Sequence, residues 1–94
     1  MTEFRIFETE RFQKDLGERL GSRAGKTAAK LKSHIYPQLR RQPYFGKNIR
    51  KLRDYKPETW RYRVEDYRFF YEIDEEKKIV FMISAGLRSE AYRT

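Results

Sequence analysis

Cysteine is absent from this 94-residue chain, which excludes disulfides, thiolate metal sites and thiol nucleophiles. The single histidine, His34, cannot build a zinc site alone, and its mid-helix place beside Ile35 reads as ordinary surface. Neither a metal nor any other cofactor is expected, and no small-molecule ligand. No apolar run approaches the ~20 residues of a membrane-spanning helix. Residues 1–10 are polar around Phe4 and Ile6, without the apolar core of a signal peptide. The expectation is a cytoplasmic protein with no membrane partner. Proline and glycine are sparse, three and five residues, and mark turns without forming a linker. With no repeats or low-complexity stretches, residues 1–94 read as one domain.

What the chain has instead is large rings and basic charge. Seven Phe, seven Tyr and one Trp can each bury on the order of 150 Å² or more, enough to build a core poor in aliphatics. The net charge of +8 is concentrated. Residues 1–39 carry +3, residues 40–68 carry +6 from 10 basic and 4 acidic side chains, and residues 69–94 carry −1. Basic charge gathered in one third of a small domain is the electrostatic footprint of a phosphate-binding surface.

Periodicity gives the elements. Residues 3–8 alternate as a short strand. Thr9 is placed to cap a helix carrying Phe12, Leu16 and Leu20 at helical spacing, ending at Gly21. Ala24, Ala28, Leu31 and Ile35 form the apolar stripe of a second, longer helix, which Pro37 should kink or end. Residues 42–59 read as a loop, with Ile49 and Leu52 anchoring a basic run that contains Arg50, Lys51 and Arg53. Ile79 to Ile83 is continuously apolar, as in a central strand covered on both faces, and the chain leaves it at Gly86. The pattern is βααβββ: an α+β fold with one small, mostly antiparallel sheet and two N-terminal helices on one face.

Between residues 42–59 and that last strand lies the segment from Trp60 to Asp74, two amphipathic strands joined at Glu65-Asp66. Alternation puts Trp60, Tyr62 and Val64 on the packing face and Arg61 and Arg63 on the other. A turn at Glu65-Asp66 pairs Val64 with Tyr67, Arg63 with Arg68 and Arg61 with Phe70, which brings three arginines to one face. Like charges directly opposite each other destabilise a hairpin, so this face calls for a polyanion, and nucleic-acid phosphate fits. The preceding basic run, Arg50, Lys51 and Arg53, is placed to add contacts to RNA.

Pro43, Gly46 and Ile49-Arg-Lys-Leu52, then Tyr62-Arg-Val-Glu-Asp-Tyr-Arg-Phe-Phe-Tyr-Glu-Ile-Asp74, then Ile83-Ser-Ala-Gly-Leu-Arg-Ser-Glu-Ala-Tyr92 resemble the RelE/ParE superfamily of bacterial toxins, most closely its RelE branch. The resemblance covers nearly the whole chain. It implies a ribosome-dependent, metal-free mRNA endoribonuclease of a type II toxin–antitoxin system, with the ribosome, mRNA and a cognate antitoxin as partners. The alternatives it leaves open are a ParE-like gyrase inhibitor and a catalytically weak RNA-binding homologue. By resemblance Arg61, Arg68, Arg88 and Tyr92 are the catalytic set. Arg61 and Arg68 would hold the scissile phosphate, and Arg63 the neighbouring backbone. Arg88 would stabilise charge or protonate the leaving group, while Tyr92 would stack on a base. RelE carries lysines at the two strand positions filled here by Arg61 and Arg63. Many relatives continue into a C-terminal helix, whereas Arg93 and Thr94 alone follow Tyr92.

The chemistry implied is attack of a ribose 2′-OH on the adjacent phosphate, giving a 2′,3′-cyclic phosphate and a 5′-OH. Arginine suits the charge building on phosphorus, because its planar fork binds phosphate in a bidentate way and stays charged. As a residue type it is a poor proton acceptor. Glu65 and Glu90 are the carboxylates near the motif in sequence.

Overall fold

Phe4 and Ile6 turn inward and Arg5 and Phe7 outward, so the first strand, β1 (Arg5–Glu8), buries one side only. Thr9 then ends the strand and starts helix α1 (Glu10–Arg19): its hydroxyl accepts the Phe12 N–H at 3.2 Å and donates to the Met82 carbonyl at 2.8 Å. The cap is therefore also a clamp between helix and sheet. The computed structural model describes residues 3–19 and 24–87. Among the described residues no helix is long and apolar enough to cross a membrane.

The second helical stretch runs past Pro37. Helix α2 (Ala24–Lys30) passes into a widened π turn (Leu31–Ile35) and then into α3 (Tyr36–Arg41). Proline has no N–H and its ring crowds the carbonyl four residues back. The π turn, in which the Tyr36 N–H reaches the Leu31 carbonyl, sits just before Pro37 and lets the chain stay helical. Leu31, Ile35 and Leu39 remain on one buried stripe throughout. Pro37 thus does not end the helix, since α3 continues to Arg41.

The sheet has five strands in the order β1-β5-β4-β3-β2, with β2 (Ile49–Lys51), β3 (Trp60–Val64), β4 (Tyr67–Asp74) and β5 (Ile79–Leu87). Only the β1–β5 pairing is parallel. The α+β class and the two helices on one face agree with the sequence reading, but β2 lies inside the stretch expected to be loop. Three residues are too few for alternation to announce a strand, and pairing with β3 decides it. β5 also differs from expectation. It continues through Gly86 to Leu87, and its burial alternates, with Val80 and Met82 fully buried and Phe81 and Ile83 half-buried. A register shift opposite Phe70/Tyr71 restores the inward aim of Ala85, whose N–H donates to the buried Asp15 carboxylate of α1 at 3.0 Å.

The core lies between the helices and one face of the sheet: Phe12, Leu31, Ile35 and Leu39 against Tyr62, Phe69, Tyr71, Val80 and Met82. Its tyrosines carry hydroxyls that need partners. Tyr62 donates to Gln38 Oε1 at 2.7 Å and Tyr71 to the Pro43 carbonyl at 2.8 Å. The other face of the sheet carries no helix of the described chain and holds the arginines.

Candidate nucleic-acid interface

The turn at Glu65-Asp66 forms as expected, with Glu65 in the left-handed region at φ 52°. The register that follows pairs Val64 with Tyr67, Arg63 with Arg68 and Arg61 with Phe70. On the other side of β3, Arg50 of β2 stands opposite Arg61. Two cross-strand Arg–Arg pairs, Arg50–Arg61 and Arg63–Arg68, therefore occupy neighbouring rows of the open face. Side chains directly opposite start about 5 Å apart. The repulsion reverses into attraction when an anion sits between the guanidinium groups.

Arg50, Arg61 and Arg63, with Lys47, Asn48 and Ile49, line a concavity of about 230 Å³. Among the described residues no carboxylate lines it. Arg50 and Arg63 are exposed and Arg61 half-buried. The Arg63 N–H donates to the Asn48 carbonyl at 3.0 Å, which ties the loop before β2 to the rim of the concavity. Arg68 differs: on the second strand in from the hollow it is only 1 % exposed. Its β5 neighbour is Gly86, which places no side chain on that face. Arg68, expected to hold the scissile phosphate with Arg61, is thus set deeper than Arg61. It is a buried cation behind the rim, in surroundings where charge acts more strongly than in water.

The basic run divides. Arg50 joins the arginine face, whereas Lys51 alternates to the helix side. There its ammonium pairs with Glu58 at 3.0 Å and lies 5.9 Å from the Trp60 ring centre. Arg53 is exposed in the turn after β2. Arg88, Tyr92 and Glu90 lie outside the described residues. Glu65 turns away from the arginines to pair with Lys30 of α2 at 3.0 Å. His34 is exposed on the helical layer, opposite the arginine face.

Two features went unmarked in the sequence reading. Glu72, two residues beyond Phe70, shares the arginine face and stands one diagonal step from Arg61, within the roughly 7–8 Å that long side chains bridge. Strand alternation carried one pair further along β4 would have found it. The other is the loop before β2. Buried Pro43 accepts from Tyr71, the Tyr44 ring packs on Trp60 with centroids 5.5 Å apart, and the Ile49 N–H bonds the Gly46 carbonyl at 3.1 Å. The Tyr44 hydroxyl bonds the Glu75 carboxylate. Burial and that bond push the Tyr44 pKa up to about 12, and the same bond, with Lys78, lowers Glu75.

Residues 7–92 match the model of the ParE toxin of type II toxin-antitoxin system, parDE. Among solved structures, the toxin–antitoxin complex RelBE2 of Mycobacterium tuberculosis is similar at a TM-score of 0.70 and 23% identity, covering 92% of this chain and 99% of that one. The RelE–RelB complex of Pyrococcus horikoshii OT3 is similar at 0.67 and 18% identity, over 100% of both chains. The isolated RelE toxin of E. coli is similar at 0.61 and 27% identity, over 95% and 90%. No curated protein matches the sequence significantly.

Proposed function

The chain belongs to the ParE toxin family of type II toxin–antitoxin systems, within the RelE/ParE superfamily, and on that premise we propose that it inhibits translation by cleaving mRNA on the ribosome. The observation that carries this reading is the cross-strand pair Arg50–Arg61 with Arg63 beside it, lining a concavity to which no carboxylate is contributed among the described residues. Such a surface favours a ligand carrying successive phosphates over a folded protein surface of mixed charge. The likeness to E. coli RelE supports the nucleolytic branch.

Arg61 and Arg63 of β3, beside Arg50 of β2, bind the phosphate and stabilise the charge that develops as the 2′-OH attacks. One preorganised donor of this kind contributes on the order of 10²–10³-fold to a rate. Buried Arg68 adds positive potential from behind. Glu72, outside the concavity but on the same face and one diagonal step from Arg61, is our candidate to accept the 2′-OH proton. Arg88 and Tyr92, by the resemblance, complete the site: Arg88 stabilises the charge on, or protonates, the leaving 5′-oxygen, and Tyr92 stacks on a base. The chain's partners are then mRNA and the ribosome, together with a cognate antitoxin whose acidic side chains neutralise the arginine face.

A second reading, gyrase inhibition, is favoured by the family model itself, which is that of a ParE toxin. Two assays on the purified chain separate the readings. Loss of reporter synthesis in a translating extract, with DNA supercoiling by gyrase unchanged, supports mRNA cleavage. Blocked supercoiling with intact mRNA overturns it.

A further inference from the structure

Exposed rings are costly on a small basic domain, and among the described residues three large hydrophobic side chains stand out: Phe7 at 53 %, Phe45 at 76 % and Tyr55 at 48 % exposure. Phe7 rests against Phe81 with centroids 5.8 Å apart. No ring partner of this kind among the described residues accompanies Phe45 or Tyr55. Those two lie on the loops at opposite ends of β2, the strand that contributes Arg50 to the concavity.

Phe45 is not exposed because its loop is slack. The residues before it are fastened by the Tyr71–Pro43 bond, by the bond from the Tyr44 N–H to Gln42 Oε1 at 2.7 Å and by the Tyr44–Trp60 contact. The residue after it, Gly46, lies so close to the body that an added Cβ would meet Gln38 Nε2 at 2.7 Å and Ile49 Cδ1 at 3.0 Å. A ring so displayed, one residue from Gly46 and two from Lys47 on the rim, is preorganised to receive a flat partner. The surrounding charge says which kind. Residues 45–56 hold Lys47, Arg50, Lys51, Arg53 and Lys56 against Asp54 alone.

The geometry points to Phe45 and Tyr55 as base-stacking platforms for single-stranded RNA, set at the two ends of β2, with Arg50 holding the backbone between them. This inference rests on the RNA reading of the arginine face and adds a track that runs outward from it along the sheet edge. Unpaired bases expose their faces to aromatic rings whatever their sequence, whereas bases in a duplex are stacked on one another. The platforms therefore select unpaired RNA, and the arginines supply the salt-dependent part of the affinity.

Fluorescence anisotropy of the full chain tests this with one labelled RNA of mixed sequence, presented single-stranded and annealed to its complement. Phe45→Ala is expected to weaken single-strand binding about tenfold, at the scale of one lost stacked base. Duplex binding and the salt slope should stay unchanged. Tyr55→Ala should act in the same direction. Phe45→Trp should keep the affinity and show quenching of its emission, beyond that of Trp60, when RNA is added. Both alanine variants binding like wild type while Arg61→Ala weakens binding would overturn the platforms and leave the RNA reading standing. Equal loss on duplex and single strand would also overturn them. A wild-type chain that binds neither RNA at low salt removes the platforms and the RNA reading together.

Discussion

Arg61 and Arg63 face the same way as Arg68 but not at the same depth, and depth decides what each can do. The first two border the concavity, so Arg61→Ala or Arg63→Ala should weaken RNA binding across all sequences and lower the salt slope by about 1 each. Arg68 is buried, so Arg68→Ala should show first as a fall in melting temperature of several degrees, through the void it leaves. Glu72→Gln separates chemistry from binding: cleavage should fall about 100-fold while RNA affinity holds, because the amide cannot accept the proton. That the three arginines share a face was legible from alternation and the turn at Glu65-Asp66. Their differing depth was not, because period two reports the side of a sheet and is silent on how far a strand lies from its edge. Glu65 lies near the arginines in sequence, and its ion pair with Lys30 of the helical layer could not be read from the hairpin alone.

Among the elements, β2 does most to shape the site and was least visible in advance. Ile49 faces the core, Arg50 the concavity and Lys51 the Trp60 side, so three residues with one hydrophobic anchor deliver one cation to each face. Its position depends on Gly46. Gly46→Ala should press on Gln38, whose side-chain oxygen accepts the Tyr62 hydroxyl, and cost about 1 kcal/mol if that bond is lost. A chemical-denaturation midpoint measures the cost, and Tyr62→Phe in the same background should make the two changes less than additive. Of the two outcomes the sequence leaves open at Pro37, a kink or an end, the helix does not end there. The rule that proline breaks helices assumes four-residue hydrogen bonding, and the π turn evades it by widening the ladder just before the ring.

For the whole molecule, the reliance on tyrosine in place of aliphatic core has a consequence at high pH. Burial, and a bond to Glu8, raise Tyr36; burial and the charge of Tyr62 raise Tyr71; and Tyr44 sits at about 12. In the unfolded chain the same hydroxyls ionise near the ordinary value of about 10. The unfolded state therefore loses protons first. Stability from these groups is complete below pH ~10 and falls as pH climbs towards 12. Thermal melts between pH 8 and 11.5 should show that fall, and Tyr44→Phe should flatten it. The fold class and the basic face were legible because rings and charges are so unevenly distributed along the chain. The cleavage reading is tested most directly by mapping 5′ ends on a reporter mRNA in a translating extract containing the wild-type chain or the Arg61→Ala/Arg63→Ala double variant. Cuts in phase with codons and bearing 5′-OH ends, frequent with wild type and absent with the double variant, are the predicted result. Intact reporter mRNA in the presence of active wild-type toxin would contradict it.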